Sequence, residues 1–293
     1  ACDDAGPVSR FRLPLLLVCC AACRPVSSVV PEPSAPPQRI VAGSILAAET
    51  LLAIAPRERI AAVHAIAADP RFSLIASEAA ALPQVGASPE QLLAARPDLV
   101  IVDAFTRPET LALLDAAGVP VLRTRTPANF ADIEANIRDI GRICHLREPA
   151  EALIQAMVAR LAALRERAVS LGPWQVCSLD GSYHTYGAAS LFDAVVAAAG
   201  ARNLAAARGA GPYRKLRLET LLSWRPDALV VAGDPQQAVL PSWLEQIPGL
   251  GLLPCLQQRR VLQVPGPLLA TTSHHLVAAA EQIQAQLLVW GRP

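Results

Sequence analysis

Residues 148–169 read EPAEALIQAMVARLAALRERAV, and the apolar side chains Leu153, Met157, Leu161, Leu164 and Ala168 recur there at spacings of three and four. That period lays one apolar stripe along one helix face. Pro149 suits the first turn, where its missing N–H has no intrahelical partner. At about 1.5 Å per residue this helix is roughly 30 Å long, enough to cross a small domain. Its flanks are patterned differently. Short apolar runs at 39–42, 60–65, 98–102 and 119–122 precede it, and others at 175–179, 228–231 and 260–264 follow it. Continuous apolar runs of this length fit strands buried on both faces of a parallel sheet. Helical patterns fall between them, at 47–54, 88–96, 107–117, 129–144, 191–199, 218–223, 243–247 and 273–289. The alternation predicts two α/β lobes with parallel sheets, joined by the single long helix.

One motif occurs on each side of that helix. Glu90-Gln-Leu-Leu-Ala-Ala-Arg-Pro-Asp98 runs into Leu-Val-Ile-Val, and Glu219-Thr-Leu-Leu-Ser-Trp-Arg-Pro-Asp227 runs into Ala-Leu-Val-Val. Ser88-Pro89-Glu90 is a strong helix start, with a capping hydroxyl, a proline and an acid in the first turn. The predicted organisation is a leader and tether at 1–38, a first lobe at 39–147, the linking helix at 148–170 and a second lobe at 171–293.

Composition narrows the function classes. With 293 residues, 53% hydrophobic and 17% charged, the chain can bury substantial cores. A formal net charge of +1 gives no electrostatic reason to expect nucleic acid as a partner. Lys215 is the one lysine, so no Walker-type phosphate loop is present. Arg10 and Arg12 before the apolar run 13–22 resemble a secretory signal. Cys20-Ala-Ala-Cys23 resembles a lipoprotein box in which Cys23 is the lipidated residue, although Cys20 stands where Leu is usual. Five prolines at 25–37 read as an extended tether. Cys144, Cys177 and Cys255 are widely spaced and read as small buried hydrophobes.

In order and spacing, these features resemble the extracytoplasmic substrate-binding proteins of ABC importers for ferric siderophores, cobalamin and haem. The residues that carry the resemblance are Ser44 with the Glu49-Thr50 pair, Leu-Pro-Gln-Val-Gly86, both Glu motifs, Gly118-Val-Pro-Val121, the long helix, and Tyr186-Gly187 with 191–203. It implies the class III periplasmic binding protein fold, a small rocking motion of the lobes, and a ligand held between them. It also implies a periplasmic or otherwise extracytoplasmic location, with a lipid anchor if Cys23 is modified, and a monomer without a cofactor that delivers its ligand to a permease dimer with a cytoplasmic ATPase. By position, Glu90 and Glu219 would dock onto permease arginines. The acid recurs in both copies and two carboxylates suit a two-fold partner, although an acid at a helix start also favours the helix dipole.

Candidate ligand residues follow strand ends: Ser44, His64, Arg71, Phe72, Phe105 and Thr106 in the first lobe, and Tyr183, His184, Tyr186, Tyr213, Arg214, His274 and His275 in the second. Aromatics give flat apolar contact to a macrocycle or catechol, and arginine pairs with its carboxylates. Ferric siderophore and corrinoid are the leading ligands. Haem asks for a Tyr or His axial ligand with Arg partners for its propionates, which Tyr183, His184 or Tyr213 with Arg71 or Arg214 would supply. Direct metal capture needs three or four converging ligands. His64, His184, His274 and His275 are the candidates, yet neighbouring His274 and His275 at a helix start are not expected to face one point. An extracytoplasmic enzyme is disfavoured, since Gly-x-Ser-x-Gly and HExxH are missing and Asp103, Asp180 and Asp234 have no nucleophile and base at readable spacing.

Overall fold

The structure, a computed structural model, describes residues 32–237 and 240–291. The signal-like stretch and Cys23 lie outside the described residues. Residues 32–38 are held against the first lobe: Glu32 pairs with Arg147, and the Gln38 and Arg39 amides donate to the Asp98 carboxylate at 2.6 and 2.9 Å.

The first lobe contains β1 (Ile40–Ala42), β2 (Ile60–His64), β3 (Gln84–Val85), β4 (Leu99–Val102) and β5 (Val121–Arg123), in the order β3-β2-β1-β4-β5 with every pairing parallel. The second contains β6 (Gln175–Ser178), β7 (His184–Thr185), β8 (Arg202–Asn203), β9 (Arg214–Lys215), β10 (Ala228–Ala232) and β11 (Val261–Val264). Four of these form a parallel sheet in the order β11-β10-β6-β8, while β7 and β9 form a separate antiparallel pair. At two residues each, β3, β7, β8 and β9 are too short for apolar periodicity to reveal them. In the first sheet the chain moves outward on one side of β1 and then crosses to β4 on the other. Such a switch opens a crevice at the carboxyl ends of the strands. Gly43 sits there because its backbone donates to Ile101 O at 2.7 Å, and an added Cβ would lie 3.2 Å from that oxygen and 3.0 Å from Val102 Cγ1.

Strand residues alternate between two kinds of core, as the period of two requires. Ile40, Ala42, Leu99 and Ile101 of the first sheet, and Val176, Ala228, Val230, Leu262 and Val264 of the second, enter one apolar cluster shared by both lobes. Their neighbours Val41, Val100 and Val102 pack in an outer cluster with Leu92 and Leu114. Cys177, Leu229, Val231 and Val261 likewise pack outward with Leu221 and Leu244. The helix Arg147–Ala168 runs through the shared cluster, 22 residues long, within a residue of the predicted bounds. Its buried stripe is Ala150, Ile154, Met157, Leu161 and Leu164. This corrects the predicted stripe at both ends, because both Leu153 and Ile154 fit a spacing of three or four and only packing chooses between them.

The closing helix Val277–Trp290 lies against the linking helix, with Arg160 Nη2 2.6 Å from Glu281 Oε2 and the Gln284 amide donating to Leu164 O at 2.7 Å. Trp174 is fully buried, and its indole N–H donates to Gly291 O at 2.9 Å. The repeated motif has one structural job in both lobes. Asp98 accepts from the amides that lead into β1, and Asp227 accepts from the Gln175 amide of β6 at 2.8 Å, while Arg96 and Arg225 both take φ of 50°.

Cys144, Cys177 and Cys255 are buried free thiols. Burial pushes the Cys144 thiol up to about 12 and the other two up to about 11. Mass-spectrometric mapping after iodoacetamide treatment at pH 8 should therefore find all three unmodified in folded protein and alkylated in denaturant. Leu164→Ala should destabilise by about 2–5 kcal/mol in urea unfolding, because it empties a fully buried site, whereas Glu166→Ala on the exposed face should stay within about 0.5 kcal/mol.

Candidate functional site

The loops at the carboxyl ends of both sheets carry most of the predicted ligand residues. In the first lobe Ser44 follows β1, is buried, and caps the helix Ile45–Ile54 by accepting from the Ala47 amide at 3.2 Å. His64 ends β2, half-buried, and its Nδ1 accepts from the Ile66 amide at 3.1 Å. Burial lowers its pKa, against the pull of Asp103. Arg71 is exposed and locked to Asp69, Nε at 3.0 Å from Oδ1 and Nη2 at 2.5 Å from Oδ2, with its guanidinium 5.4 Å from the centre of the Phe72 ring. Those hydrogen bonds bring the Asp69 carboxyl down to about 2. Phe105 stands 80% exposed on a turn tied by Asp103, which accepts from the Phe105 amide at 2.9 Å and the Thr106 hydroxyl at 3.2 Å.

The second lobe gathers its aromatics through the β7–β9 pair. Asp180 initiates the turn by accepting from the Ser182 and His184 amides at 2.8 and 2.9 Å, and Tyr183 takes φ of 65°. That backbone turns Tyr183 onto the outer core, whereas His184 points to the other side and stacks on Tyr213, centroids 4.4 Å apart and planes within 5°. Tyr186 lies 5.2 Å from Tyr213 and 6.5 Å from Phe192. Tyr186 and Tyr213 remain 40% and 55% exposed, so they offer an aromatic surface to a ligand. Burial, then Tyr213 and Asp180, raises the Tyr186 pKa and keeps its phenol protonated at neutral pH. Arg214 is exposed in β9, opposite Thr185.

His274 and His275 lie elsewhere. A 3-10 turn, His274–Leu276, carries them to the junction of the lobes, where they line a cavity of about 250 Å³ with Glu49, Arg57 and Glu78. Their rings are 4.0 Å apart and both residues line this cavity, although neighbours at a helix start were not expected to face one point. His274 is thus separated from the aromatic group with which the sequence reading placed it. Glu49 is the junction residue that reading left without a role, although it had stood out beside Thr50.

Glu90 and Glu219 are both exposed, each in the first turn of a short helix, Pro89–Ala94 and Leu218–Trp224, on the outer layer of its sheet. Glu219 Oε2 lies 3.5 Å from Arg217 Nε, a solvated pair that leaves its carboxylate accessible. A second cavity, about 390 Å³, runs beside the linking helix between Phe130, Val158, Leu161 and Ala197. Among the described residues no three His, Cys, Asp or Glu side chains converge on a metal position, and no helix is long and apolar enough to cross a membrane.

Among solved structures the chain is similar to the periplasmic heme-binding protein RhuT from Roseiflexus sp. RS-1 in its apo form. Identity is 28% and the TM-score 0.73, over 85% of this chain and 97% of that one. It is similar also to the periplasmic heme-binding protein BhuT in complex with two hemes, at 26% identity and a TM-score of 0.72 over 86% and 98% of the two chains. The periplasmic vitamin B12 binding protein BtuF of Vibrio cholerae shares the fold at 21% identity and a TM-score of 0.68 over 87% and 98%. No curated protein sequence matches. A family model of periplasmic binding proteins matches residues 40–268, from β1 into the segment that follows β11. With two parallel-sheet lobes fused through one long helix, the chain belongs to the periplasmic binding protein family, in the class III form that serves ABC importers.

Proposed function

We propose that the protein captures a tetrapyrrole, ferric haem first, between its two lobes outside the cytoplasm and delivers it as a monomer to an ABC permease. The observation that carries this reading is the His184, Tyr186 and Tyr213 surface, with two stacked or tilted rings facing solvent at the end of the second sheet. A flat conjugated macrocycle gains dispersion and quadrupole contact from such a surface. A phenol oxygen of Tyr186 or Tyr213 would supply an axial ligand to a ferric centre, and the exposed Arg214 would pair with a propionate. The sequence alone favours ferric siderophore or corrinoid. The two haem-binding relatives at 28% and 26% identity move haem ahead of them.

One observation supports the second reading. Asp69 neutralises Arg71, so the first lobe offers little positive charge to propionates, which suits an uncharged corrinoid or hydroxamate chelate. His64, Phe72 and Phe105 would close over the ligand from the first lobe in either case. Glu90 and Glu219 dock on arginines of the permease, each at the same place in its lobe, and a lipid on Cys23 would keep the carrier at the membrane surface.

Absorbance titration of purified protein with hemin, cobalamin and a ferric hydroxamate discriminates the readings. A shifted haem band that saturates at one equivalent or more is expected, and saturation by cobalamin or the hydroxamate alone would replace haem by that ligand. Tyr213→Ala should weaken haem by about tenfold, the worth of one aromatic contact. Because the Tyr186 phenol must lose its proton to bind iron, haem affinity of a Tyr186-ligated complex should fall as pH is lowered, by up to about tenfold per unit; Tyr186→Phe should remove that slope. Glu90→Arg with Glu219→Arg should abolish uptake in cells while leaving ligand affinity in place.

A further inference from the structure

The junction of the lobes holds groups that ligand capture does not use. Glu49, on the first-lobe helix Ile45–Ile54, is 1% exposed. Its Oε2 accepts from the hydroxyls of Thr271 and Ser273, each at 2.6 Å, across 222 and 224 positions of sequence. Both donors belong to the second lobe, and Thr271 and Ser273 are themselves only 3% and 0% exposed. The hydroxyls are held in place by their own geometry: they lie 3.1 Å apart, and the Ser273 amide donates to Thr271 Oγ1 at 3.2 Å. Glu49 Oε1 and His274 Nδ1 have no protein partner and line the junction cavity.

A buried carboxylate is strongly unfavourable unless hydrogen-bonded, and bonds to an ionised acceptor are short and about twice as strong as neutral ones. Here acceptor and donors sit on different lobes, so the bonds exist only at one interlobe angle. The other charged groups nearby leave this arrangement intact. Arg57 comes from the turn Arg57–Arg59, Glu78 from the helix Ala76–Ala80, and Arg160 of the linking helix is neutralised by Glu281 of the closing helix. Burial brings His274 down to about 3 and lowers His275 as well, so at neutral pH no imidazolium competes with the hydroxyls for Glu49.

We propose that Glu49 is a positioning residue which, through Thr271 and Ser273, fixes the angle between the lobes and hence the aperture through which ligand leaves. The inference rests on the two-lobed carrier reading, and its main test needs no ligand. Amide hydrogen exchange of the full chain without ligand should show at least tenfold faster exchange in Ile45–Ile54 and Thr271 to Leu276 for Glu49→Ala, and likewise for the double variant Thr271→Val with Ser273→Ala. Strands β1 and β10 should keep wild-type protection. Glu49→Gln, which retains an acceptor oxygen without the charge, should restore part of the protection. Where hemin binds, transfer to a haem-scavenging globin should be about tenfold faster in Glu49→Ala at an unchanged association rate. Unchanged exchange at the junction in both variants would overturn the proposal, and so would an equal rise in β1 and β10, which would make Glu49 a general stability residue. If hemin, cobalamin and ferric hydroxamate all fail to bind wild-type protein, the ligand reading falls while the exchange result still decides the role of Glu49.

Discussion

The structure depends on one continuous apolar core threaded by the helix Arg147–Ala168. Ile154, Met157, Leu161 and Leu164 belong to the same apolar cluster as residues from the inner faces of both sheets, so the two lobes do not have separate interiors on that side. Close-packed interiors resist displacement because a gap of even half an ångström forfeits much of the dispersion energy at its walls. A shared core of this kind resists large relative displacement of the two lobes. The polar crossings near the helix obey the same limit: Gln284 reaches the Leu164 carbonyl, Arg160 pairs with Glu281, and Glu49 bridges to Thr271 and Ser273. Each of these bonds forms at one relative placement of its elements.

The repeated Glu-x-Leu-Leu-x-x-Arg-Pro-Asp motif acquires two meanings in this frame. Its apolar positions, Leu92 and Leu221, anchor short helices on the outer faces of the two sheets. Its final aspartates tie the ends of those helices to the strand beside them, Asp98 to the start of β1 and Asp227 to β6. Neither job needs an acid at the first position. Glu90 and Glu219 project into solvent, and a first-turn carboxylate on an exposed helix contributes only about 0.3–1 kcal/mol to stability. A surface pair such as Arg217 with Glu219 adds little more. Recurrence of the acid at matching places, with so small a contribution to folding, is what supports the docking proposal.

Beyond the carboxyl ends of the two sheets the lobes present unlike chemistry. The first presents Phe105 on an Asp103 turn, Phe72, and an arginine whose charge Asp69 answers, while the second assembles three ring systems around a two-residue strand pair. The asymmetry follows from topology: β7 and β9 exist only in the second lobe, and their antiparallel register brings His184 and Tyr213 together from positions far apart in the loop. The haem-binding relatives and the vitamin B12 binding protein share this scaffold, so the choice of ligand rests with side chains at the loop ends and leaves the core unchanged.

The order of the longer strands and helices and the long connector were legible in the sequence, because apolar runs, caps such as Ser88 and Asn129, and the period of three and four are local signals. Family resemblance came from the same local features in sequence order. What stayed hidden were properties that depend on distance in space. Two-residue strands are too short to impose a pattern, so the pair that builds the aromatic surface could not be read in advance. Leu153 and Ile154 both reach Met157 at a spacing of three or four, and only the partner surface buries Ile154 more fully. His274 and Tyr186 both follow strand ends, yet a 3-10 turn sends one to the lobe junction and a hairpin leaves the other at the ligand face. Glu49 marks the family resemblance in the sequence but has no partner there, and only the fold brings Thr271 and Ser273 within 2.6 Å of it. Local periodicity determined the elements; burial and long-range hydrogen bonding, which exist only once the chain has closed on itself, decided which side chains share a site.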